Sequence, residues 1–93
     1  MRLPKTQLND YREWLFETHP ICQVCGLATA TEAHHSKYGY FGAKKDDRSL
    51  VAICHPCHYQ IHHGTKGVCK TRKEIEAIGK RNWEEYQAME AVG

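Results

Sequence analysis

The spacing of apolar positions switches several times along the chain, and each switch predicts an element. In residues 6–18, Leu8, Tyr11, Leu15 and Thr18 recur at steps of three and four, the spacing of one helix face. Trp14 stands beside that face, Tyr11 and Trp14 read as core, and Pro20 stops the helix. "ICQVCGLAT" then breaks the period. It reads as a Cys-x-x-Cys turn ending in Gly26, a residue that tolerates the positive φ such turns need. "ATEAHHSKYGY" begins a strand, "FGAKKDDR" is a polar loop, and the apolar, β-prone "SLVAIC" predicts a second strand. In "CHPCHYQIHHG" the helical period returns, with His58, Ile61 and His62 on one face and Gly64 as a C-terminal stop. "TRKE" at 71–74 is a capping-box pattern. It opens a last helix with Ile75, Ile78, Trp83, Tyr86 and Met89 as its stripe. Gly79 lies inside that stripe: either one helix tolerates it, or the helix divides and Asn82 caps a second piece. These elements predict a small α+β fold in a single domain, residues 1–93.

Length and cysteine usage sharpen that picture. A chain of 93 residues buries a modest core, so a metal staple would help it fold. Four of its five cysteines form two Cys-x-x-Cys pairs, Cys22/Cys25 and Cys54/Cys57. In a reducing compartment that pattern predicts zinc rather than disulfides. Four thiolates close a tetrahedral site with no position left for water, which makes it structural Zn2+. The site would tie the knuckle to the start of the helix. Cys69 reads as an inert thiol. No apolar run is long enough to cross a membrane, and "MRLPKTQLNDYREW" lacks the apolar stretch of a signal peptide. The expected compartment is therefore the cytoplasm, with no membrane partner.

The histidines add a second candidate site. His58 and His62 stand one helical turn apart, a ready two-point metal clamp. A histidine from "EAHH" would supply a third ligand, and three protein ligands leave the open position of a catalytic metal. Strand alternation puts His34 and His35 on opposite faces, so local geometry alone does not assign a general base. His19, His55 and His63 read as bystanders.

The net charge is only +2, yet the basic residues gather around these clusters. Lys37, Lys44, Lys45 and Arg48 lie in the loop between the strands, and Lys66, Lys70, Arg72 and Lys73 follow the histidine helix. Phosphate contacts from such side chains dominate affinity for DNA, the expected partner. Tyr38, Tyr40 and Phe41, interleaved with them, either stack on sugars and bases or cap the core. Asp46 and Asp47 either help hold the loop beside the site or are solvated loop charges, the second being the plainer reading. Nothing resembles a base-reading helix, so sequence specificity is expected to be low. The acidic end of the chain, with Glu84, Glu85 and Glu90, offers a surface for a protein partner. Without heptads, monomer and homodimer both stay open.

Taken together, "C-x-x-C … EAHH … DDRSLVAICHPCHYQIH" resembles the HNH endonucleases, the ββα-metal group, and within it small phage-type members with an additional four-cysteine zinc. The resemblance covers residues 22–64. It implies a metal-dependent endonuclease that hydrolyses phosphodiester bonds, by nicking or double-strand cleavage, leaving a 5′ phosphate and a 3′ hydroxyl. His35 would be the general base, as a near-neutral imidazole suits. His34, His58 and His62 would hold a divalent metal (Mg2+, Mn2+, Ni2+ or Zn2+), His34 taking the place of the first His of the pair in nuclease colicins. Ser49 stands where the motif normally has an Asn that braces the loop behind the base. A serine makes fewer such bonds. That departure leaves a catalytically weak or inactive zinc-stapled nucleic-acid-binding module as the alternative. Stand-alone proteins of this kind resemble phage and prophage products, by analogy only.

Overall fold

In a computed structural model the described residues form three α-helices and a two-stranded antiparallel sheet, an α+β arrangement. The structure describes residues 3–36, 46–63 and 69–92. Helix α1 (Lys5–Thr18) follows Pro4, whose carbonyl accepts the Leu8 N–H at 2.9 Å. Proline suits such a start because it gives up an N–H that would have no helical partner. Strand β1 (Glu32–His35) pairs with β2 (Leu50–Ile53), and a 3-10 turn at Asp47–Ser49 leads directly into β2. Helix α2 (His55–His63) follows at once, and α3 (Arg72–Val92) ends the described chain.

Both faces of β2 are covered, which explains its unbroken apolar run. Leu50 and Ala52 face a core shared with Leu3, Tyr11, Leu15, Ala30 and Tyr86. Val51 and Ile53 face a second core made with Cys22, Val24, Cys54, Ile75 and Ile78. Helix α3 serves both cores, its first turns lying against the cysteine side and Tyr86 against α1. Tyr11 sits among Trp83 and Tyr86 with ring centroids 5.2 and 4.9 Å away, distances at which aromatic pairs attract. Of the expected α3 stripe, Met89 is 47% exposed and does not join the core.

The capping box forms as its sequence predicts: Glu74 N–H donates to Thr71 Oγ1, and Thr71 N–H to Glu74 Oε1. Gly79 does not divide α3. A Cβ there would stand 2.5 Å from the Ser49 carbonyl oxygen and 2.6 Å from Ser36 Oγ. Glycine is thus required by close approach, at a cost in helix propensity of about 1 kcal/mol that packing offsets. Nor is Asn82 a cap. It is fully buried and exchanges two amide bonds with Gln23, while its Nδ2 also donates to the Leu50 carbonyl. Gln23 in turn donates its N–H to Ala52 O and accepts Ala52 N–H on Oε1. This amide pair stitches the knuckle, β2 and α3 together and satisfies polar groups that burial would otherwise penalise.

Candidate functional site

Cys22, Cys25, Cys54 and Cys57 come together with all four sulfurs within 4.8 Å of one another. Cys22 and Cys25 are held by the turn. Gly26 donates its N–H to Cys22 O and has φ 69°, and Cys25 N–H points at Cys22 Sγ at 3.5 Å. Cys54 and Cys57 lie at the start of α2, where the His58 N–H closes on Cys54 O. The Cys25 and Cys54 sulfurs are 3.9 Å apart. The edge of a ZnS4 tetrahedron with Zn–S of about 2.3 Å is about 3.8 Å. The thiol chemistry also calls for a cation. Burial raises the Cys54 and Cys57 thiols, and neighbouring sulfurs push both further up. Burial acts the same way on Cys22, but the N–H groups of Cys25, Cys54 and Val24 outweigh it and bring that thiol down to about 6. The four cysteines fit a structural zinc.

A second set of donors forms one turn further along α2. Nitrogen atoms of His34, His58 and His62 lie within 4.8 Å of one another. His34 comes from β1 and is buried, 5% exposed, whereas His62 is exposed. The ring centroid of His34 is 5.2 Å from that of His58 and 5.4 Å from that of His62. Nε2 of His58 and Nε2 of His62 are 3.1 Å apart. Two imidazoles on one tetrahedral ion at about 2.05 Å would stand about 3.3 Å apart. Glu32 orients one member of the set, His58. Its carboxylate lies 2.6 Å from His58 Nδ1 and 2.7 Å from His55 Nδ1. A carboxylate only accepts, so Nδ1 of His58 carries the proton and Nε2 keeps its lone pair. The hydrogen bonds from His58 and then His55 hold the Glu32 carboxyl below its usual range. This donor set fits a divalent ion with imidazole preference.

Register explains the division of labour in β1. Glu32 pairs with Ile53 and His34 with Val51, so both share the face on the cysteine side. Ala33 and His35 pair with Ala52 and Leu50 and take the other face. His35 is therefore not in the imidazole cluster. Its Nε2 lies 2.8 Å from Oδ1 of Asp47. Asp47 is 0% exposed, which corrects its reading as a solvated loop charge. Its second oxygen accepts the Leu3 N–H at 2.8 Å, and two donors are what permit a carboxylate there. Asp46 keeps the expected partly exposed position and accepts from Arg48. Burial works against its charge, but the Arg48 guanidinium and N–H prevail and hold its carboxyl low.

Ser49 donates Oγ–H and N–H to the Asp46 carbonyl, closing the 3-10 turn. Its own carbonyl accepts from Ser36 N–H and Ser36 Oγ. Arg48 is exposed, and Lys37, Lys44 and Lys45 lie outside the described residues. Two residues carry geometry that the motif reading passed over, Glu32 and Gln23, and a third, Asp47, it left mainly as a loop charge. Strand alternation in "EAHH" was a usable signal for Glu32, since it shares a face with His34. Nothing local marks Asp47, whose partner Leu3 is remote in the chain. Among the described residues no helix is long and apolar enough to cross a membrane. Compared with known proteins, the chain matches no family model, no curated protein and no solved structure.

Proposed function

We propose that this chain is a metal-dependent endonuclease of the HNH type, acting on DNA phosphodiester bonds with low sequence specificity. The observation that carries the reading is the grouping of His34, His58 and His62 across a hairpin and the helix that follows it. His35 follows His34 in β1 but takes the strand's other face, where its Nε2 lies 2.8 Å from Asp47 Oδ1; it serves a water bound on that side of the strand. A divalent ion held by the three imidazoles would supply Lewis-acid stabilisation of the phosphate and the leaving 3′ oxygen. His35 takes the proton from the attacking water. Glu32 keeps His58 in the tautomer that presents Nε2. Cys22, Cys25, Cys54 and Cys57 would hold a zinc that takes no part in the reaction and would fix the start of α2, the helix that carries His58 and His62. Arg48 contributes a phosphate contact, together with the loop lysines.

Ser49 in the Asn position favours a second reading, a nucleic-acid-binding module that has lost the reaction. Plasmid relaxation separates the two. Purified protein freed of loosely held metal is incubated with supercoiled DNA and Mg2+, Mn2+, Ni2+ or Zn2+, beside His35→Ala. The nuclease reading expects nicked or linear DNA with at least one metal, and at most a small residual rate, visible only in long single-turnover incubations, from His35→Ala. Silence from both, with a gel shift by the wild type, supports the binding module.

A further inference from the structure

Asp47 is an expensive residue to place at zero exposure. A carboxylate taken out of water costs several kcal/mol, in rough terms, unless its oxygens are satisfied. Both are: Oδ1 by His35 Nε2 and Oδ2 by Leu3 N–H, each at 2.8 Å. Neither bond is a routine part of a turn, and the two donors come from opposite ends of the described N-terminal segment. The carboxylate cannot donate, so the proton of the neutral ring is on Nε2 and the lone pair is on Nδ1.

The backbone behind Asp47 is held unusually firmly. The turn is closed by two bonds from Ser49 to Asp46 O. The Ser49 carbonyl is gripped by Ser36 N–H and Oγ at 3.0 and 2.7 Å. Helix α3 presses on the same carbonyl at Gly79, where a Cβ would come within 2.5 Å. Such a clamp keeps a side chain in one rotamer, as a group that orients another requires.

Resting on the nuclease reading, we infer that Asp47 is the positioning residue of His35. It fixes the ring plane and the tautomer, so that Nδ1 is the atom that accepts the proton of the attacking water. Leu3 N–H fixes Asp47 in turn, which couples the start of the chain to the base. Ser49 then serves the base indirectly, by closing the turn that presents Asp47.

The test reads the tautomer as well as the rate. Zinc-loaded protein labelled with 15N-histidine is studied by long-range 1H–15N correlation in mildly alkaline buffer. His35→Ala identifies the His35 signals. The wild type should show His35 protonated on Nε2. In Asp47→Asn the amide oxygen should stay on Leu3 N–H and the NH2 should face His35, which moves the proton to Nδ1. Single-turnover cleavage by Asp47→Asn should fall by about 10²–10⁴-fold, the range of a misoriented general base. DNA affinity and metal dependence should stay within about twofold, and adding Asp47→Asn to His35→Ala should cost nothing more.

A wild-type His35 protonated on Nδ1 overturns the role, and that spectrum decides even if Asp47→Asn does not fold. So does cleavage by Asp47→Asn at the wild-type rate, or a loss additive with His35→Ala. In each of these cases the nuclease reading survives. A wild type that cleaves with none of the four metals overturns that reading, and the role falls with it.

Discussion

The two donor clusters share a helix and differ in almost everything else. Cys54 immediately precedes α2, and the helix itself gives Cys57, His58 and, a turn later, His62. The cysteine cluster gathers four thiols, two of them fully buried, and ties residues from both ends of the core. The histidine cluster has three imidazole donors, one buried and one exposed, with a carboxylate holding one ring. A closed anionic site suits a permanent cross-link, while an open one built of imidazoles suits an exchangeable ion. Their adjacency teaches how so short a chain can build a site: an ion held by the four cysteines would fix the start of the helix that carries two of the three histidines.

The sharpest way to break this comparison is to remove each cluster separately. Cys22→Ala should abolish the folded state, because structural zinc contributes about 10–16 kcal/mol against a typical total stability of about 5–15 kcal/mol. Loss of the helical circular dichroism signal and of dispersed amide resonances would record it. His62→Ala should leave the fold within about 0.5 kcal/mol of wild type, since His62 is exposed. Native mass spectrometry with added Zn2+ should count two ions on the wild type and one on this variant. If His62→Ala unfolds the protein, or if the wild type holds only one ion, the two clusters do not differ as described.

Sequence patterning reached the cysteine side more completely than the histidine side. Two Cys-x-x-Cys pairs state their chemistry locally, and the close approach of their four sulfurs adds geometry without changing the reading. His58 and His62 were legible for the same reason, as neighbours on one helix turn. The capping box at Thr71 and Glu74 was likewise local. What stayed hidden depended on contacts between remote segments. Asp47 looked like loop polarity because its donors are Leu3 and His35. Asn82 stayed open as a cap because its true partner, Gln23, lies across the core. Gly79 left one helix or two undecided, because the close approach of Ser49 O cannot be seen in a helical period.

Glu32→Gln sharpens the comparison by a smaller step. Gln keeps one acceptor oxygen where the carboxylate serves both His55 and His58. Loss of such a carboxylate partner typically weakens a metal site by about 10–100-fold. Calorimetric titration of Mn2+ or Zn2+ into protein whose cysteines are already loaded should show that loss at the second ion alone. An equal loss at the four-cysteine zinc would mean that Glu32 supports α2 as a whole rather than its histidines.

Gly79→Ala tests the histidine side from behind, with the smallest expected effect and an inverted sign. In an exposed helix interior this exchange stabilises by about 1 kcal/mol. Here the added methyl meets the Ser49 carbonyl at 2.5 Å, and that oxygen belongs to backbone already bound by Ser36. Neither partner can yield without moving the turn, so overpacking of about 1–3 kcal/mol should outweigh the gain in propensity. For a domain this small, each kcal/mol lost lowers the melting temperature by about 4–8 °C. The displaced turn carries Asp47, whereas the cysteines lie across the second core. Amide shifts should therefore change at residues 35–36 and 46–50 and stay small at residues 22–26. A melting temperature above that of the wild type would show that α3 does not press on the turn, and would remove one of the clamps that hold Asp47 against His35.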